Sequence, residues 1–217
     1  MTYGEPIAVL AGTPVDTQMG VDLLIAAGLN ALAFPLSSDP RQQNLFQISS
    51  ADEKHAAVLT VLNRAMQQGC SRALIYCNSL SSSVDFSLLA EETGMRIVTP
   101  LQIYRALPQH YHRLGIVAAN APGLSGIEQT LYLEDSTLEL LSVSLLPLVL
   151  SIEAATPPEE LVQQYRLVEL AEWFQACGME AMILGCTHFP YVKKALQQKI
   201  SLPLIDPAEE MIRMLTE

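Results

Sequence analysis

Short apolar runs of five to six residues alternate along this chain with longer segments whose apolar positions recur at helical spacing. That alternation is the pattern of βαβ units on a mainly parallel sheet, so the fold class expected is α/β. Strands are expected near Ile7 to Ala11, Ala31 to Phe34, Ala73 to Tyr76, Arg96 to Val98, Leu114 to Ala118, Met182 to Leu184 and Leu204 to Ile205. The clearest helical segments between them are Gln18 to Ala27, Asp52 to Gln68, Ser81 to Thr93, Gly126 to Leu133, Pro158 to Cys177, Tyr191 to Lys199 and Pro207 to Leu215. A length of 217 residues suits one compact domain or two small lobes. With 50% hydrophobic and 16% charged residues, the chain is too apolar to be disordered. Its net charge of -11 repels phosphate backbones and argues against nucleic acid or acidic membrane surfaces as partners. No apolar run approaches the roughly 18 residues of a spanning helix, and Met1 to Pro6 lacks the basic and apolar regions of a signal peptide. A cytoplasmic location away from the membrane is expected.

Two segments echo each other: Gly69-Cys70-Ser71-Arg72-Ala73-Leu74-Ile75-Tyr76-Cys77 and Gly178-Met179-Glu180-Ala181-Met182-Ile183-Leu184-Gly185-Cys186. In each, a helix ends at a glycine suited to a C′ position, an apolar strand follows, and a cysteine stands eight residues after the glycine. Upstream, each half has a strand running into a small, polar turn, Ala11-Gly12-Thr13-Pro14 in one and Ala118-Ala119-Asn120-Ala121-Pro122-Gly123 in the other. The expected organisation is two pseudo-symmetric lobes, residues 1–98 with 206–217 and residues 99–205. Each is a mainly parallel sheet flanked by helices, with the active site in the cleft between them.

The echo places Cys77 and Cys186 at strand ends and helix starts. Open parallel sheets bind ligands outside the carboxyl ends of their strands, and free amides at a helix start favour a thiolate. A single cysteine after an apolar strand is commonly a small buried hydrophobe. The repeated phase, with Asn78 and Ser79 after one cysteine and Thr187 and His188 after the other, argues for chemistry. Cys70 and Cys177 sit at helix ends without a following polar triplet and read as packing. Four cysteines are too few for a disulfide scaffold in a chain of this size. No GxGxxG, GxxxxGK[ST], HExxH or CxxC pattern is present.

Leu184-Gly185-Cys186-Thr187-His188-Phe189-Pro190 resembles the second-cysteine motif of glutamate racemases, members of the cofactor-independent aspartate/glutamate racemase family. Cys77-Asn78-Ser79 resembles their first motif, where Cys-Asn-Thr is usual, and Leu204-Ile205-Asp206-Pro207-Ala208-Glu209 is similar to the segment before their C-terminal helix. The resemblance implies a homodimeric amino-acid racemase with no metal and no other cofactor, acting on glutamate or aspartate. Cys77 and Cys186 would flank the α-carbon, one removing a proton and the other delivering one to the opposite face. The chemistry explains the pair, since inversion through a planar carbanion needs an acid and a base on opposite faces.

The resemblance also makes His188 a general acid/base and gives Asp16 the role of acidic helper to the first cysteine, with Asp16-Thr17 standing later than the usual Asp-Ser pair. Asp16 reads equally as the N-cap of the next helix. Thr17, Asn78, Ser79, Thr187 and Asn120 are expected to bind substrate. Arg41 lies in Pro35-Leu36-Ser37-Ser38-Asp39-Pro40-Arg41, which stands where glutamate racemases carry Pro-Tyr-Gly; it either grips a side-chain carboxylate or is a solvated surface arginine. Pro147-Leu148-Val149 matches the run before a second acidic helper, yet that position holds Leu150, and Glu153 is the nearest replacement. The His188 motif favours glutamate, whereas the first turn and the Arg41 loop favour aspartate. A hydantoin racemase, a related isomerase or lyase on the same fold, and a non-catalytic amino-acid-binding protein are the alternatives.

Overall fold

The computed structural model describes residues 4–217, with the side chains of residues 40, 41 and 44 outside the description. In chain order the first elements are β1 (Ile7–Ala11), α1 (Pro14–Ala26), β2 (Ala31–Pro35), α2 (Pro40–Ile48), α3 (Ala51–Gln67), β3 (Arg72–Ile75), α4 (Asn78–Ser83), α5 (Phe86–Thr93), β4 (Arg96–Val98) and α6 (Pro100–Tyr104). They are followed by β5 (Arg113–Ala118), α7 (Ala121–Glu134), β6 (Glu139–Ser144), α8 (Leu146–Glu153), α9 (Pro158–Gln164), α10 (Leu167–Ala176), β7 (Ala181–Gly185), α11 (Pro190–Gln197), β8 (Leu204–Ile205) and α12 (Ala208–Thr216).

The strands form two four-stranded sheets, parallel throughout, in the orders β2-β1-β3-β4 and β6-β5-β7-β8. The fold is α/β with two like sheets, as the alternation of runs predicts. The chain divides into two units, one holding the residues up to Ile103 together with Pro207–Glu217, the other Tyr104–Asp206.

Within the first unit, β1 carries Ile-Ala-Val-Leu-Ala and is buried at every residue, because helices cover both faces of a parallel sheet. In the second unit β7, Ala-Met-Ile-Leu-Gly, is equally buried. The edge strand β6 was not anticipated. Glu139, Ser142 and Ser144 interrupt its apolar run, and as an edge it needs less burial than β5 beside it. Among the described glycines the closest approach is at Gly115 on β5, where a Cβ would stand 2.5 Å from the ring of buried Phe174 of α10.

Caps explain where several helices depart from expectation. Thr13 caps α1 in a reciprocal capping box with Asp16, and Pro14 occupies the first turn, so α1 begins four residues before the expected Gln18. The segment Ser81 to Thr93 is two helices, since the Asp85 carboxylate accepts from Ser87 N and Leu88 N and starts α5 afresh. Pro158 to Cys177 is likewise broken at Arg166, which takes a left-handed φ of 50° between α9 and α10. The helices α2, α6 and α8 were not anticipated. Helix α12 packs on β3 and β4, and Arg72 donates to the Leu215 carbonyl at 3.0 Å. Among the described residues no helix is long and apolar enough to cross a membrane.

Candidate active site

In each sheet the chain runs from a central strand to one neighbour and then crosses back to the other side, β1 to β2 and then β3, β5 to β6 and then β7. Crossovers that diverge in this way leave a crevice at the carboxyl ends of the two central strands. The pairing Leu10↔Ile75 sets Gly12 and Thr13 beside Cys77, and the pairing Ala118↔Gly185 sets Asn120 beside Cys186 and Thr187. Both cysteines therefore occupy the position that a parallel sheet offers to a ligand. Each keeps 7% of its surface exposed, dry but not sealed.

Cys77 is the N-cap residue of α4 and makes no side-chain capping bond, which leaves its sulfur for other contacts. Its Sγ lies 3.4 Å from Ser79 Oγ. Ser79 Oγ also accepts from Gln47 Nε2 of α2 at 2.7 Å. Asn78 is buried, and neither its Oδ1 nor its Nδ2 has a partner among the described residues. A buried amide with both ends unsatisfied is costly unless a ligand completes it.

Asp16 stands at the third position of α1, and Thr13 rather than Asp16 is the N-cap. Its carboxylate accepts from Gly12 N at 3.2 Å, Thr13 N at 2.6 Å and Thr13 Oγ1 at 3.0 Å, so it holds together the turn that flanks Cys77. The Thr17 hydroxyl is fully buried and donates to the Thr13 carbonyl at 2.6 Å. Arg41 falls in α2, and its side chain lies outside the described residues.

Gln43 and Gln47 on α2 were not anticipated. They are one helical turn apart and share a face. Gln43 Oε1 accepts from Ser37 Oγ at 3.0 Å, while its buried Nε2 has no partner among the described atoms. Its side chain lies against Gly12, where a Cβ would come within 2.7 Å of it. The signal available in sequence was the four-residue spacing of two amides, and no motif marks that spacing.

Cys186 is followed by a turn in which Phe189 N donates to the Cys186 carbonyl at 3.0 Å, and α11 begins only at Pro190. The expectation of a helix start directly after each cysteine holds for Cys77 and not for Cys186. Instead the turn folds His188 back, with Nδ1 3.6 Å from Cys186 Sγ. His188 Nε2 is 3.1 Å from Glu153 Oε1, and both side chains are largely buried. Glu153 ends α8, one turn beyond the half-exposed Leu150. With Nε2 donating to this carboxylate, Nδ1 of the neutral ring carries no proton and can accept that of the thiol; once protonated, the same ring donates from both nitrogens. Thr187 is buried in this turn, and Asn120 caps α7 by accepting from Gly123 N at 3.0 Å.

The other cysteines stand apart from this chemistry. Cys70 precedes the amino end of β3, and burial, aided by the Glu5 charge, pushes its thiol pKa up. Cys177 is the C-cap residue of α10. Among the described residues no group of three His, Cys, Asp or Glu side chains is placed to hold a metal ion.

A family model for Asp/Glu/hydantoin racemases matches residues 34–215. The chain belongs to this family. Of its curated relatives, the glutamate racemase of Limosilactobacillus reuteri strain DSM 20016 is 29% identical over 157 residues, which is 70% of this chain and 58% of the relative. The chain thus spans less than two thirds of that protein's length. Among solved structures, the glutamate racemase of Francisella tularensis subsp. tularensis SCHU S4 in complex with D-glutamate superposes with a TM-score of 0.74 at 18% identity, covering 99% of this chain and 80% of that one. An aspartate racemase homologue from Pyrococcus horikoshii OT3 gives 0.68 at 16% identity, covering 98% and 97%. These likenesses establish a shared fold. In this member of the family the carboxylate partner of His188 is Glu153, three residues after Leu150.

Proposed function

We propose that this chain racemises an acidic amino acid, glutamate before aspartate, without a metal or other cofactor, as a cytoplasmic homodimer. The observation that carries this reading is the equivalence of Cys77 and Cys186, each at the carboxyl end of a central strand in sheets of the same order, each with a polar partner two residues on. Membership of the family and the glutamate racemases among its relatives support the same reading.

In the proposed reaction a thiolate removes the α-proton from one face and becomes a thiol. The resulting carbanion takes a proton from the second thiol on the other face, leaving that sulfur as thiolate. The stereocentre inverts, one proton enters and one leaves, and the roles reverse for the other enantiomer. An α-proton of an amino acid is a very weak acid, so the carbanion must be met by fixed dipoles in a dry site. His188 and Glu153 hold the proton balance at Cys186, and Asp16 is the acidic group of the half that carries Cys77. The Asn78 amide, with a donor and an acceptor both unpartnered, matches the carboxylate and ammonium of a zwitterion. In this reading Ser79, Thr187 and Asn120 supply further polar contacts, Thr17, fully buried and bonded to the Thr13 carbonyl, supports the turn after β1, and Arg41 takes the side-chain carboxylate.

Proton NMR of L-glutamate, L-aspartate and a 5-substituted hydantoin incubated separately with the protein in heavy water, followed by chiral analysis, tests the reading. Loss of the α-proton signal with appearance of the D-enantiomer is expected, fastest with glutamate. Exchange confined to a hydantoin would move the substrate to another branch of the family. Exchange with none of the three would leave a binding protein.

A further inference from the structure

We propose that Gln47 is a positioning residue for Cys77, acting through Ser79. The role rests on reading Cys77 as one of the two bases and goes beyond it, since α2 carries none of the motif residues. A primary amide nitrogen only donates, so at 2.7 Å Gln47 Nε2 must occupy one lone pair of Ser79 Oγ. That contact fixes the oxygen and leaves the serine with one proton and one remaining lone pair. The sulfur 3.4 Å away meets both. As a thiol, Cys77 donates to the lone pair; as a thiolate, it accepts the serine proton. Donation from Gln47 polarises the Ser79 O–H and strengthens its bond to the anion. All three side chains are buried, so water does not substitute for a lost partner without rearrangement. In the second half the imidazole of His188, backed by Glu153, stands where Ser79 and Gln47 stand in the first.

The other charged groups of this unit stay constant in the comparison below. Asp16 comes from α1 beside the end of β1. Lys54 of α3 donates to the Gln47 carbonyl at 3.3 Å, and Asp39 accepts from Gln42 N before α2. Arg41 lies on α2 itself. Helix α4, Asn-Ser-Leu-Ser-Ser-Ser, has no ionisable side chain. Arg72 and Arg96 lie at the amino ends of β3 and β4, the opposite ends from Cys77.

The test is alkylation of the full chain by iodoacetamide across the thiol titration range, with Cys77 and Cys186 quantified separately by mass spectrometry. In Gln47→Met the Cys77 profile is expected to move up by about one pH unit, roughly a ten-fold loss of thiolate at neutral pH, while the Cys186 profile stays in place. In a Ser79→Ala background, Gln47→Met is expected to add nothing, whereas Ser79→Thr retains the hydroxyl and the native profile. Gln47→Glu, of the same size, serves if the methionine variant does not fold; its carboxylate accepts from Ser79, turns the hydroxyl from the sulfur and also moves the profile up. An unmoved Cys77 profile in a folded Gln47 variant, or a further shift on Gln47→Met in the Ser79→Ala background, would overturn the proposal. Thiol reactivity needs no turnover, so failure of the wild type to racemise any substrate counts against the proposed function and leaves this test intact.

Discussion

A hydroxyl and an imidazole stand at the same place in the two halves of this chain, two residues beyond Cys77 and two beyond Cys186. The difference is chemical: a serine donates to a thiolate but does not take its proton, whereas an imidazole does both. In the racemase reading, Cys186 therefore has a neighbour on which a proton can rest and Cys77 has one that orients it. Replacing either cysteine by alanine is expected to lower racemisation by about a thousand-fold or more, because no one-base route reaches the second face; chiral chromatography of a timed reaction checks it. Glu153→Gln keeps the shape and removes the charge behind His188, and should lower kcat by roughly ten-fold or more with KM little changed. Steady-state kinetics in both directions separates the two parameters. Cys70 supplies a contrast within the same fold. Burial holds its thiol protonated, so iodoacetamide at neutral pH should modify it well after Cys77. Much of this was legible beforehand, since the cysteine phase and the motif residues are local in sequence. Gln43 and Gln47 were not, because an amide on a polar helix carries no mark of what it will face once folded.

Elements follow rules of burial and capping that a sequence displays unevenly. The central strands were readable as uninterrupted apolar runs, while β6 was hidden by Glu139, Ser142 and Ser144, which an edge strand tolerates. The breaks at Asp85 and Arg166 were hidden too, since a cap or a left-handed residue inside a periodic stretch competes with a pattern that continues across it. Two predictions test the element scale. Gly115→Ala drives a methyl to 2.5 Å from the Phe174 ring, where both β5 and α10 are packed, and should cost about 1 to 3 kcal/mol in urea melts. Glu180 precedes β7, and its carboxylate accepts from His112 N at 2.6 Å and Arg113 N at 2.9 Å, tying the start of β7 to the start of β5. Those two amides lower its pKa from the ordinary 4.5. A carboxylate depressed in the folded state stabilises at pH above its unfolded value, and that stabilisation fades as pH falls through the folded one. Glu180→Gln should therefore melt below the wild type at neutral pH, with the gap closing as pH drops under 4.5.

For the molecule as a whole, the notable feature is repetition: the strand order β2-β1-β3-β4 recurs as β6-β5-β7-β8, and each copy carries a cysteine at the end of its third strand. The repetition is closed by α12, which follows the last strand of the second sheet in sequence and packs on β3 and β4 of the first. Its Met211 and Leu215 are essentially fully buried. Removing residues 207–217 should destabilise the first unit by about 3 to 6 kcal/mol, the burial of two large apolar side chains. Hydrogen exchange on β3 and β4 would report that loss, and unchanged protection there would show that α12 contributes little. The sequence by itself determined the βα alternation, the two like halves and the two cysteine motifs, because periodicity, caps and motif spacing act over a few residues. Only the tertiary structure decided which groups reach the sulfurs: Glu153 meets His188 across 35 residues and Gln47 meets Ser79 across 32. Contacts at that separation depend on how helices settle on a sheet, a free energy summed over the whole core that no single stretch of chain displays.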